Sequence, residues 1–339
     1  MPKIWTSDFE SIIHARPQGH VLAICLHPAL DVTVYTKDGK ETSRTQTIGG
    51  KAINLARMLH ALGAKVTLLA PDDREGQTSA LLCGCGFDCE IIPTNLSLRR
   101  NYKYVDADGT TREENGSAGI ISPQDSQQLI HRIIDMCQNS CRTKCRTKPI
   151  SHVALCGSFP QGVEKGVYKS LTEQLRVLDI PCVTDASGEP LSLAIQAKPS
   201  LIKPNLEEFC HIFAQDISLL KTKKDVINAI FSAYESAGVQ MLCSMDRHGA
   251  VYAGSEGVLD VQCPAVECVQ SFAGAGDTML AAFLYARMLC DAPIEHALRF
   301  ASAAATAKVR LPAGILPSNQ QIFFEWTQTE VKKHEVYEK

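Results

Sequence analysis

The sequence predicts an α/β fold built on a mostly parallel sheet, and three observations carry that expectation. Short apolar runs recur between stretches of helical periodicity, and turn residues close many of those runs. One segment, residues 101–115, departs from the pattern and reads as two polar strands around an Asp-Gly turn. The 339 residues fit either one large α/β domain or two.

Taken in chain order, Ser7 and Glu10 spell a capping box ahead of Ile12 and Ile13, so the extension over residues 1–19 is expected to form a short helix outside the main fold. Residues 21–26 are the first strand, an apolar run too short for a core helix and closed by His27 and Pro28. Further strands are expected at 32–36, 66–70, 90–93, 102–105, 153–156, 182–185, 201–203, 241–245 and 250–253. Between them, Gly50 and Lys51 open a helix whose apolar face continues through Leu55, Met58, Leu59 and Leu62. Ser122 and Pro123 mark another helix start, with serine as N-cap and proline at the first helical position. Val163, Val167, Leu171, Leu175 and Leu178 recur at three to four residues and define one buried helix face over 163–178. Strands alternating with helices imply βαβ units and ligands bound beyond the C-terminal strand ends. The 101–115 hairpin, with little apolar face to bury, is expected to stand outside the core.

Composition narrows the function classes. With 45% hydrophobic and 21% charged residues there is material for a sizeable core and no case for disorder. A net charge of −3 argues against nucleic acid or a membrane surface as partner, and no apolar run of about 18 residues suggests a span. The 14 cysteines would suggest disulfides in a secreted chain, but the first twenty residues lack the apolar stretch of a signal peptide, so a cytoplasmic protein with reduced thiols is expected. Neither Cys83, Cys85, Cys89 nor Cys137, Cys141, Cys145 follows a common metal spacing, and they read as small apolar residues or surface thiols. CRTKCRTK at 141–148 reads as a solvated basic loop.

Three segments carry the chemistry. From Ser271, a small-residue loop runs straight into a strongly apolar helix, gathering backbone N–H groups where an anion can sit. Asp277, in the first turn, is read either as a cap or as the acid that takes a proton from an attacking hydroxyl beside that anion hole. The second segment is Gly49-Gly50-Lys51 with Asn54 one turn on, in which paired glycines admit a ligand to the backbone. It is not a Walker loop, since Thr45 replaces the first glycine and Ala52 follows the lysine, and no dinucleotide glycine fingerprint occurs. The third is Asp31, near the end of the first strand, where a carboxylate can accept two sugar hydroxyls.

In this order the three resemble the PfkB family of ribokinase-like carbohydrate kinases. Gly274-Ala275-Gly276-Asp277 matches that family's C-terminal signature, Gly49-Gly50-Lys51 with Asn54 its N-terminal one, and Pro28-Ala29-Leu30-Asp31 the start of its sugar-phosphate branch. Gly157-Ser158-Phe159-Pro160 resembles GSLP, Asp185-Ala186-Ser187-Gly188 resembles DTSG, and Lys203-Pro204-Asn205 with Glu208 resembles KPNxxE. The likeness spans residues 20–318.

The resemblance implies a three-layer sandwich with a small β lid and ATP-dependent phosphorylation of a sugar hydroxyl. It makes Asp277 the catalytic base and Gly274, Ala275 and Gly276 the anion hole. Asp31, Gly49, Gly50, Lys51 and Asn54 would hold the sugar, and Lys203, Asn205, Ser244 and Gly249 would line the nucleotide site. Asn205 and Glu208 would organise Mg2+ through water. Residues 98–104 resemble the strand with which the 1-phosphofructokinase and tagatose-6-phosphate kinase branch grips a phosphate already on the sugar. There Arg99, Asn101 and Lys103 match, on one face of a strand. Arg44 and Ser158 are further phosphate candidates. The expected reaction turns fructose 1-phosphate, tagatose 6-phosphate or fructose 6-phosphate into the bisphosphate. A kinase for an unphosphorylated sugar or nucleoside and a non-catalytic sugar-phosphate sensor are the alternatives. Three departures stand out: Ala52 for a glycine, Asp246 beside the expected nucleotide, and Ala281-Ala282-Phe283 for a glycine-rich stretch. The expected organisation is a kinase domain over 20–325, with its lid at 32–48 and 98–118, and a polar tail over 326–339. The lid's exposed edge invites pairing into a homodimer.

Overall fold

The computed structural model describes residues 5–107, 110–116, 119–142 and 149–334. The chain opens on helix α1 (Ser7–Ile13) and enters the main sheet with β1 (Val21–Ile24). It leaves to form β2 (Ala29–Lys37) and β3 (Lys40–Gly49), then returns through α2 (Lys51–Ala61), β4 (Val66–Asp73), α3 (Gln77–Leu82) and β5 (Asp88–Leu96). A second excursion makes β6 (Arg99–Asp106) and β7 (Thr111–Asn115). Alternating units follow: α4 (Pro123–Arg142), β8 (His152–Cys156), α5 (Val167–Val177), β9 (Cys182–Asp185), α6 (Glu189–Gln196), β10 (Leu201–Ile202), α7 (Leu206–Ile212), α8 (Lys223–Ala237) and β11 (Gln240–Ser244). The remainder is β12 (Ala250–Gly254), β13 (Gly257–Gln262), α9 (Ala275–Phe283), α10 (Ile294–Val309), α11 (Asn319–Trp326) and β14 (Glu330–His334).

The main sheet has ten strands in the order β14-β13-β12-β11-β10-β9-β8-β1-β4-β5, parallel from β11 to β5 with an antiparallel edge of β12, β13 and β14. Its layering follows from strand periodicity. Successive side chains point to opposite faces, so Val21 and Ala23 of β1 join one apolar cluster and Leu22 and Ile24 the other. The first cluster is covered by α1, α2, α9, α10 and α11, the second by α4 to α8, which makes the expected three layers. No helix among the described residues is long and apolar enough to cross a membrane.

A separate four-stranded sheet, β3-β2-β6-β7, stands over the C-terminal ends of the parallel strands. β2 and β6 run parallel in a register that sets Asp31 against Asn101 and Thr33 against Lys103. The intervening positions supply the lid's own apolar contact, Leu30, Val32 and Val34 with Tyr102 and Tyr104. The polar hairpin expected from sequence therefore has an apolar face, provided by its neighbour β2. Its Asp108-Gly109 turn lies outside the described residues, as does most of the 141–148 basic segment.

Several expectations need correction. The 163–178 helix begins only at Val167, because Gly162 (φ +98°) and the Gly166 cap hold residues 163–166 in turns, although Val163 still packs into the core. The capping box at Ser7 does not form: Thr6 precedes α1 and no side-chain cap bond is made. Nor does α1 lie outside the fold. Phe9 is 0% exposed and meets Phe323, Trp326 and Phe300 with ring centroids 5.0, 5.5 and 5.8 Å away. At the other end, the segment read as a polar tail buries Trp326, and β14 pairs with β13 in register Val261↔Val331. Neither β13 nor β14 was expected, since each is short and mixed in polarity.

Phe9→Ala is expected to destabilise the protein by about 3–5 kcal/mol, the cost of emptying a packed aromatic site. Denaturant unfolding checks this, and a change under about 1 kcal/mol would mean that α1 is a dispensable appendage.

Candidate active site

The C-terminal ends of the central strands carry a buried group of charges. Asp185, the last residue of β9, is only 1% exposed and receives Lys51 Nζ at 2.7 Å on one oxygen and Lys203 Nζ at 3.2 Å on the other. Lys51 is the first residue of α2 and Lys203 follows β10, so this carboxylate joins three separate crossovers. Burial alone would raise the Asp185 pKa, but the two lysines outweigh it and hold the carboxyl below its usual range. Burial likewise works against the Lys51 charge, and Asp185 reverses that.

Asp277 occupies the first turn of α9 and is 8% exposed. Burial, with the Asp185 charge nearby, pushes its pKa up to about 6, against the opposing pull of the Asn54 amide, Lys203 and Lys51. Asn54 Nδ2 donates to Asp277 Oδ2 at 2.8 Å. Gly274 caps the helix at φ +79°, a left-handed conformation suited to glycine. In that turn the Ala275 N–H donates to Phe272 O at 3.2 Å, and the first helical bond is Thr278 N–H to Gly274 O at 2.9 Å. The N–H groups of Gly276 and Asp277 precede that bond and point out of the helix end, whereas the Ala275 N–H, expected in the anion hole, is spent on the turn. Lys203 lies against Gly276: a side-chain carbon built there would be 3.1 Å from Nζ.

A cleft of about 840 Å³ opens from Gly274 and Asn54 to the lid. Asp31, Gly49, Asn101 and Lys103 line it, together with Arg57, Thr278 and Lys308. Asn101 Nδ2 donates to Asp31 Oδ1 at 2.8 Å. Gly49 has to be small, since a β-carbon there would fall 1.9 Å from Asp31 Oδ2. Gly50, at φ +136°, turns the chain into α2, and Ala52, unlike a ligand contact, is sunk in the apolar core.

Arg99 does not line the cleft wall. Its charge reaches Cys25 and His27 instead, and its buried Nε has no partner among the described residues. His27 Nδ1 lies 3.2 Å from Ser158 Oγ, and the Arg99 charge acts on the same imidazole. Burial, with Arg99 beside it, lowers the His27 pKa to about 4, which leaves the ring neutral at pH 7. Arg44 is not brought in. It is exposed on β3 and forms two 2.7 Å bonds with Glu41.

On the other side of Asp277, the backbone at Asn205 bridges to Ser244 in parallel. Gly249 closes the turn after β11 at φ +85°, where a β-carbon would meet Val261 O at 2.0 Å. Asp246 starts that turn and is exposed, so its charge is not buried in the strand ends. Asn205 and Glu208 form a reciprocal capping box on α7, and Ser187 Oγ bonds the other Glu208 oxygen. With those oxygens already accepting bonds, the pair suits a water-mediated hold on a hydrated cation.

Residues 23–321 match the family described as pfkB family carbohydrate kinase. The chain belongs to the PfkB family of carbohydrate kinases. It is similar to 1-phosphofructokinase of Escherichia coli strain K12, 28% identical over 299 residues that cover 85% of this chain and 90% of that protein. The corresponding Bacillus subtilis protein is 26% identical over 297 residues, covering 85% and 92%. Among solved structures, phosphofructokinase-2 from Escherichia coli in complex with substrates and products superposes with TM-score 0.79 at 24% identity, covering 91% and 98%. Arabidopsis thaliana ribokinase does so with TM-score 0.67 at 17% identity, covering 91% and 99%. The fold is ribokinase-like, and this PfkB sugar kinase is a phosphotransferase acting on an alcohol acceptor, with ATP as the co-substrate the family implies.

Sequence reading assigned no role to Asp185, His27, Arg57 or Lys308. Asp185 had a usable signal, an acid at the C-terminal end of a buried strand, but nothing local shows that two lysines converge on it. Asp185→Ala would strand both, so a loss of about 3 kcal/mol or more is expected in denaturant unfolding. A loss under about 1 kcal/mol would show that the lysines find other partners.

Proposed function

We propose that this kinase phosphorylates a ketohexose monophosphate with ATP to give the bisphosphate, with Asp277 as general base. The observation that carries the reading is a buried carboxylate with its pKa raised to about 6, held at 2.8 Å by Asn54 and set beside the open N–H groups of a helix end, with Asn54 and the helix cap Gly274 lining the same cleft as Asp31 and Asn101. The relatives named 1-phosphofructokinase support a phosphorylated ketose as acceptor.

In the proposed reaction the acceptor hydroxyl oxygen bonds to the γ-phosphorus of ATP, the bond to the β–γ bridging oxygen breaks, and ADP leaves with that electron pair. Asp277 takes the hydroxyl proton. Gly276 and Asp277 N–H groups, with Lys203, face the charge on the transferring group. Asp31 and Asn101, linked to each other, orient the sugar hydroxyls, with Gly49, Gly50, Lys51 and Asn54 completing that wall. Arg99, Ser158 and Lys103 take the phosphate already on the sugar, the first two beside the neutral His27. Ser244 and Gly249 shape the nucleotide's edge next to Lys203 and Asn205. Asn205 and Glu208 would hold Mg2+ through water, where it neutralises phosphate charge. The lid sheet, with β3 as an exposed edge, is the proposed homodimer contact. Cys25, Cys156, Cys182, Cys210 and Cys243 are buried thiols, which suits a reducing, cytoplasmic setting.

Asp277→Asn is expected to lower kcat by about 10²–10⁴-fold while KM values and the melting temperature hold. The sign for stability is favourable: a carboxyl whose folded pKa is raised contributes nothing above about pH 6, so its neutral replacement costs little at pH 7. For the wild type, kcat/KM should fall about tenfold per unit below a limb near pH 6, as Asp277 becomes protonated and cannot accept the proton. Near-normal turnover of the variant would reject the assigned role.

A further inference from the structure

One buried cation in the cleft is used by nothing described so far. Lys308 sits in the last turn of α10, only 3% exposed, and lines the same cleft as Asp31 and Gly274. Its Nζ donates to one neutral acceptor, Pro312 O, at 3.1 Å. Among the described residues no carboxylate lies within ion-pair distance, and burial alone lowers its pKa. Lys203, at the other end of the loop, differs in having Asp185 as its counter-charge.

The placement is specific. A side-chain carbon at Gly274 would lie 3.7 Å from Lys308 Cε and 3.6 Å from the Asn54 amide nitrogen. The Gly274–Gly276 loop therefore runs between two lysines, Lys308 at its Gly274 end and Lys203 at its Gly276 end. The same region is tied to the α10 terminus by the backbone: the N–H groups of Gln270 and Ser271 both reach Val309 O, at 2.9 and 3.3 Å. Burying an ammonium group without a carboxylate is costly, and an apolar side chain of similar length would fit the site at less cost. A charge kept there needs an anion to answer it, and the cleft holds room for one beside open N–H groups.

We propose that Lys308 is a positioning residue for phosphoryl transfer: its ammonium group clips the 308–312 turn against Gly274 and supplies fixed positive charge behind the anion hole, answered only when a phosphoryl group is bound. This rests on the kinase reading above. It adds a residue that neither glycine signature contains.

Lys308→Met and Lys308→Ala test it. In Lys308→Met, kcat should fall about tenfold or more, short of the roughly 10²–10³-fold that follows loss of a direct donor. Both KM values should stay within about threefold, the split expected of an interaction made mainly in the transition state. The melting temperature should not fall, because a desolvated charge has been removed. Methylammonium should restore turnover to Lys308→Ala in a concentration-dependent way and do nothing for Lys308→Met, whose cavity is filled. A kcat within about twofold of wild type, or a loss that tracks a lower melting temperature and resists methylammonium, would overturn the proposal. Calorimetry with inorganic phosphate separates it from the kinase reading. Wild type turning over no sugar would sink that reading alone, while phosphate should still bind about tenfold or more weakly to Lys308→Met than to wild type, and equal affinity would sink Lys308's role.

Discussion

The site depends on one buried carboxylate being answered twice. Asp185 holds Lys51 and Lys203 at 2.7 and 3.2 Å, and those lysines come from opposite directions along the chain. Without Asp185 two ammonium groups would face each other at the strand ends. With it, the start of α2 and the loop after β10 are pinned to β9, and both cations are presented toward Asp277. The cluster also sets the chemistry of Asp277, since burial and the Asp185 charge raise its pKa and the lysines moderate the rise. A carboxyl titrating near 6 is a better proton acceptor than an ordinary surface aspartate and is still ionised at neutral pH.

Around that cluster the fold divides the work by its geometry. Parallel strands end together, so Asp185, Lys203 and Ser244 arrive at one edge of the sheet without any loop having to travel far. The helix end at Gly274 supplies open N–H groups at the same edge, and the second sheet, whose alternate positions carry Asp31, Asn101 and Lys103, closes the space above. The lid can be polar on that face because Leu30, Val32 and Val34 pack with Tyr102 and Tyr104 on the other.

Much of this was legible in the sequence because it is local. The small-residue loop into an apolar helix marks the turn that carries Gly274 and Asp277, and the glycine pair marks the start of α2. What was not legible is long-range. Lys51 and Asp185 are 134 residues apart, and no spacing rule connects them. Arg99 was expected in the cleft from its alternation with Asn101 and Lys103. Its charge is felt at His27 and Cys25 at the base of the lid, whereas Asn101 and Lys103 line the cleft. Phe9 and Trp326 read as parts of terminal extensions because each meets the other only across the length of the chain, with Phe300 and Phe323 also packed on Phe9. Lys308 ends the alanine-rich helix α10, and no local motif marks it.

The most direct test is ADP release with Mg-ATP across fructose 1-phosphate, fructose 6-phosphate, tagatose 6-phosphate and the unphosphorylated ketoses. A site with Asp277 at its base and a phosphate grip at Arg99, Ser158 and Lys103 should release ADP with at least one ketohexose monophosphate and far more slowly with the free sugars. Release only with an unphosphorylated sugar, or none with any of them, would contradict it.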